Sequence, residues 1–220
     1  MRTETRLLLT FVAGYCDTAT FVHMKGIFSA HVTGNFVVFA AALARGVRPE
    51  DYVKLLTFPV FLLAVVVASA IYVVSEGGRP KSGLRRILAA MTVLLIAATA
   101  GAVFKTEATD IAVTMLVVFA LGMQNTLHHF IPGSMTTVMT GTVMNTVARL
   151  TRQAMRTPVE PLAPASVSTL WLISLFAAGC LIAAFGAVIL GFSSLGLAAL
   201  ITLILTVREW TPAEKAPSHA

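Results

Sequence analysis

The chain has 220 residues, 57% of them hydrophobic and only 12% charged, about half the charged share of an ordinary soluble domain. That much apolar surface exceeds what one aqueous core can hold, so a soluble globular fold is excluded and lipid must solvate part of it. The net charge of +6 does not point to nucleic acid, because Lys and Arg collect at the ends of apolar runs. Arg2 and Arg6 precede the first run, and Arg79, Lys81, Arg85 and Arg86 separate the third from the fourth, as snorkelling anchors and the positive-inside bias require.

Eight apolar segments follow in order, at about 7–24, 28–45, 53–75, 85–104, 110–128, 134–152, 169–190 and 193–208. The first begins after two arginines like a signal peptide. It then runs on past Asp17 without a small-x-small cleavage site, which makes it a retained helix. Cys16 lies in it and Cys180 in the seventh; with no metal-ligand spacing and no partner framework, both read as small buried residues. The third, fourth and seventh segments are comfortable spans, and the first, fifth and eighth are adequate but short. The second and sixth are different. Each opens with a polar stretch, 29–35 and 134–142, and only the later halves suit lipid, the sixth carrying Asn145 even there. Pro158, Pro161 and Pro164 make 150–168 an exposed linker, and the charged, proline-containing tail from 209 to 220 reads as disordered.

The two odd segments match each other. Thr33-Gly34 and Thr140-Gly141 stand 107 residues apart, as do Arg45 and Arg152, and Gly26 and Gly133. Just upstream, Gly14-Tyr15-Cys16-Asp17-Thr18 pairs with Gly122-Met123-Gln124-Asn125-Thr126 at an offset of 108. The expected fold is therefore an all-α, polytopic transmembrane bundle forming one integral domain. It comprises repeat A, about 7–105, and repeat B, about 110–208, with six long spans plus two short polar Thr-Gly segments. If those two segments span, the repeats are parallel; if they re-enter, the repeats are inverted. Either arrangement puts eleven Lys/Arg inside and five outside with a cytoplasmic N-terminus, so charge does not choose between them.

Asp17 falls about ten residues into the first helix, where an ionised carboxylate must face protein or water. It reads as a protonatable coupling site or as interhelical glue, and Asn125, beside Gln124, is its neutral counterpart. Thr33-Gly34-Asn35 and Thr140-Gly141-Thr142 read either as backbone-exposing breaks at a substrate path or as small-residue packing. His31, two residues before Thr33, is a candidate for titration near neutral pH, whereas His23, His128 and His129 close helices and read as interface residues. Arg149, Arg152 and Arg156 share a helix face suited to lipid phosphate or to an anion-recruiting vestibule. No zinc-protease helix motif and no Gly-x-Ser-x-Gly elbow occurs, so no enzyme and no cofactor is expected.

The runs Gly14-Tyr15-Cys16-Asp17 through Phe28-Ser29-Ala30-His31-Val32-Thr33-Gly34-Asn35, and Gly122-Met123-Gln124-Asn125 through Thr136-Thr137-Val138-Met139-Thr140-Gly141-Thr142, together resemble the two signatures of the YoaK family. These are small bacterial membrane proteins also labelled as a domain of unknown function, DUF1275. The resemblance spans essentially the whole chain. It implies a multi-pass protein of the bacterial inner membrane with six or more helices, and no established substrate. The residues themselves point to a small permease, a secondary transporter or channel-like path for a small solute or ion, with Asp17 protonatable, Asn125 and Gln124 hydrogen-bonding and the Thr-Gly pairs exposing backbone. The rival reading is a non-transporting scaffold with a packed polar seam. Partners are the bilayer and that solute, and the small size favours a homo-oligomer.

Overall fold

Eleven residues of the first helix, α1 (Thr3–His23), are buried, among them Leu9, Val12, Tyr15 and Cys16 together with the polar Thr5, Thr10, Asp17 and Thr20. So many polar side chains are tolerated because the helix is surrounded by protein. Thr10 and Thr20 return their hydroxyls to the carbonyls of Arg6 and Cys16, one turn back. The computed structural model describes residues 1–75, 80–131, 139–155 and 169–211. After α1 come α2 (Gly34–Arg45), a 3-10 turn (Pro49–Tyr52), α3 (Val53–Ser75), α4 (Pro80–Gly101) and α5 (Glu107–Phe130). Then follow α6 (Met139–Ala154), α7 (Thr169–Leu190), a second 3-10 turn (Gly191–Leu195) and α8 (Gly196–Trp210), with no strand among the described residues.

Four stretches are long and apolar enough to cross a membrane: Pro49–Ser75, Ser82–Gly101, Glu107–Leu127 and Thr169–Trp210, the last holding both α7 and α8. The chain is thus an all-helical protein with membrane-type helices. Two close helix packings, α1 on α7 and α3 on α5, rest on glycine. A Cβ on Gly14 would lie 2.3 Å from the Phe176 carbonyl oxygen, and one on Gly179 would lie 2.3 Å from that of Phe11. Across α3 and α5, a Cβ on Gly122 would meet the Ala64 Cβ at 2.7 Å. Such approaches are how helices gain contact in lipid, where burial of apolar area alone gives no drive. α4 lies against α5 and α8 and joins α8 through the Thr92 and Thr206 hydroxyls at 2.9 Å.

The two ends of the bundle can be told apart by their contacts. At one end His23, Asp51, Lys54, Glu107 and Asp110, from α1, the first 3-10 turn, α3 and α5, line a single cleft. At the other, Thr5 donates to Glu209, Arg208 pairs with Glu4, and Tyr72 stacks on Phe130 with ring centroids 4.2 Å apart. The chain therefore leaves α1 and enters α3 at the same end. Residues 24–48 go in and come back, and α2, with 12 residues and a rise of about 18 Å, does not cross the bundle. Most of the expected linker (156–168), the stretch 132–138 with Gly133, and the expected tail from 212 on lie outside the described residues.

Candidate functional site

Past His23 the chain reverses through Lys25 at φ 50° and Gly26 at φ 106°, the Gly26 amide donating to the Phe21 carbonyl at 2.8 Å. Residues 27–32 then run back beside α1 without helix, and Ile27, Ser29, Ala30 and Val32 are buried. Irregular backbone at such depth persists only where its polar groups find protein partners. Here Asp17 supplies them to two residues: its Oδ1 accepts from the amides of both Ser29 and Ala30 at 2.7 Å. The Ser29 hydroxyl lies 3.1 Å from Thr20 Oγ1.

Asn35, in the first turn of α2, treats Phe28 as a strand neighbour would. Its Oδ1 accepts from the Phe28 amide and its Nδ2 donates to the Phe28 carbonyl, both at 2.8 Å, while Nδ2 also reaches Thr57 Oγ1 at 2.9 Å. Asn35→Ala strands a donor and an acceptor of Phe28, and the expected result is a loss of about 2 kcal/mol or more, read from unfolding in detergent. Asn35 thus holds the hairpin in shape.

The second oxygen of Asp17, Oδ2, stands 2.6 Å from His31 Nδ1. The two partners differ sharply in environment: the Asp17 side chain is 7% exposed and the His31 side chain 42%. A buried carboxylate thus orients an imidazole that reaches open space, with the rings of Phe28 and Phe176 edge-on to it. That space is a cavity of ≈ 290 Å³ lined by Ala30, His31, Val32, Thr33, Phe61, Asn125 and Thr140. It is of a size to hold a small solute.

The expected site residues therefore divide. His31, Thr33, Asn125 and Thr140 meet on one cavity although 107 residues of sequence separate the two threonines. Gly141 is half-buried beside Thr140, and the Thr142 side chain lies outside the described residues, as do those of His128, Asn145 and Arg149 and the whole of Arg156. Gln124, on the same helix as Asn125, is buried and donates to the Leu9 carbonyl at 2.9 Å, tying α5 to α1. Thr33-Gly34 is a helix start and not a break: the amides of Gly34, Asn35 and Phe36 bond to the carbonyls of His31, Val32 and Thr33. A Cβ on Gly34 would touch the Phe28 ring at 3.1 Å, so this glycine makes room for an aromatic wall. The open backbone lies upstream of it, in 27–32. Phe28, Phe61 and Phe176 carry no sequence signal, because an aromatic in an apolar run looks the same whether it faces lipid or a cavity.

No curated protein and no solved structure matches the chain. A family model described as a protein of unknown function, DUF1275, matches residues 6–208, nearly the full length and both signature runs, and the chain belongs to that family.

Proposed function

We propose that this protein is a small membrane permease whose solute path passes through the cavity between His31, Thr33, Asn125 and Thr140. The observation that carries the reading is the meeting of polar residues from both halves of the sequence on one space, in helices that otherwise suit lipid. In this reading α1, α3, α4, α5, α7 and α8 span, and the segments holding α2 and α6 re-enter. Three spans per half then give inverted repeats, the arrangement in which broken segments of the two halves meet near the bilayer midplane. The glycine packing supports it. Gly14 on α1 meets Phe176 and Gly122 on α5 meets Phe61, while Gly179 and Ala64 hold the corresponding close contacts, and each of the pairs Phe61/Phe176 and Ala64/Gly179 is 115 residues apart.

The end carrying Arg2, Arg6, Arg85, Arg86 and Arg208 is the cytoplasmic face of a bacterial inner membrane by the charge bias, so the α2 hairpin opens to the outside. The Asp17–His31 pair is the proton carrier, since the imidazole reaches the cavity and Asp17 Oδ2 holds its Nδ1 from behind.

Single cysteines test the path. Thr33→Cys and Thr140→Cys are preferable to cysteine at Gly34, where the Phe28 ring crowds any side chain. Cys180 is replaced by Ser, and the fully buried Cys16 stays. Both positions are expected to react with membrane-impermeant thiol reagents, and a solute that protects one protects the other. If the seam is only packing, as in a scaffold, neither reacts faster than Cys16 does.

A further inference from the structure

The hairpin end carries five basic residues, Lys25, Arg45, Arg48, Lys54 and Lys105, and all but the last line a single cleft of ≈ 500 Å³ between the end of α2 and the first 3-10 turn. Anchoring cations behave otherwise: they spread around a bundle and reach out singly to the headgroups. Here Lys54 is only 5% exposed, drawn into the wall. The one carboxylate lining this cleft, Asp51, is already committed, its Oδ1 to Lys54 Nζ at 2.7 Å and its Oδ2 to the Arg48 amide at 2.9 Å, while Glu50, Glu107 and Asp110 line the adjoining cleft, which shares Lys25, Arg48, Asp51 and Lys54. Arg48 pairs with Glu50 at 3.2 Å across solvent, where such a pair holds weakly. Lys25 and Arg45 make no hydrogen bond or ion pair among the described residues.

These two stand on opposite limbs of the hairpin, Lys25 at a left-handed turn and Arg45 in the last turn of α2. Fold economy would let them diverge into water; instead they face one concavity floored by Val38, Ala41 and Ala42. We propose that this cleft is an oxyanion site that takes a phosphate group, with the Arg45 guanidinium and the Lys25 and Lys54 ammonium groups as donors. The site stands apart from the His31 cavity and does not depend on the permease reading. Phosphate reaches it from a phospholipid headgroup or free from water, and the test separates the two.

The test measures the unfolding midpoint of the full chain with two probes. Inorganic phosphate is titrated against chloride at constant ionic strength in detergent, and phosphatidylglycerol is compared with phosphatidylcholine in nanodiscs. A midpoint raised by phosphate identifies a free-anion site, and one raised by phosphatidylglycerol alone identifies a headgroup site. In either case Lys25→Gln with Arg45→Gln is expected to weaken the response roughly tenfold or more, and each single variant weakens it in part, while Lys105→Gln, the same charge change as either single variant and at the same end but off the cleft, leaves it intact. No shift with either probe, or a double variant that responds like the parent chain, overturns the proposal.

Discussion

Replacing Asp17 with alanine is expected to lower stability by about 3 kcal/mol or more, because it strips the partners from two buried backbone amides at once. Ser29 and Ala30 are buried, and their amides sit on a limb of chain with no helix or sheet of its own. Asp17→Asn behaves differently. Its side-chain oxygen still accepts from both amides, so most of the fold's stability survives, while the negative charge beside His31 is gone. The comparison separates the two roles of one residue. Detergent unfolding should rank the parent chain, then the asparagine variant, then the alanine variant well below. In proteoliposomes the asparagine variant should lose pH-dependent flux while keeping its fold. Equal stability of the alanine variant would mean the hairpin is held elsewhere, and unchanged pH-dependent flux in the asparagine variant would remove the proton carrier from the proposed mechanism.

Gly14→Ala and Gly179→Ala are each expected to destabilise by about 1–3 kcal/mol, the range for overpacked interiors. A methyl group placed 2.3 Å from a backbone oxygen cannot be absorbed by a side-chain rotation, so α1 and α7 must separate. Both substitutions press on the same crossing. Once the helices have moved to admit one methyl, the second meets less resistance, and the double variant should fall short of the sum. Gly196→Ala is the control: its nearest neighbour, Thr99 Cγ2, lies at 3.5 Å, an ordinary contact, and helix propensity favours alanine. Equal effects at all three positions would show that glycine itself, and not the crossing, is what matters.

The helices could be read from apolar run lengths because lipid imposes length and composition directly. Asp17 facing protein could be read for the same reason: a carboxylate has nowhere else to go in such a helix. The path of residues 24–48 could not. Lys and Arg divide identically whether that segment crosses or returns, and what decides it is the burial of Ser29 and Ala30 against Asp17, a contact across twelve and thirteen residues that no periodicity encodes. Asn35 and Gln124 illustrate a second limit. An amide side chain in an apolar run signals that it must bond to something, yet Asn35 bonds to local backbone, Gln124 to a neighbouring helix, and Asn125 lines a cavity. The residue type is common to all three, and only the fold distributes the roles.

α1 has a consequence for how the protein is made. It buries eleven of its residues and yet is not among the stretches apolar enough for lipid by length and composition. Its threonines and Asp17 are comfortable only when neighbouring helices replace the acyl chains around them. A ribosome delivers α1 well before α7, its main partner. In a bilayer α1 therefore settles only once α7 has arrived, and until then its polar side chains face surroundings less suited to them than the folded bundle.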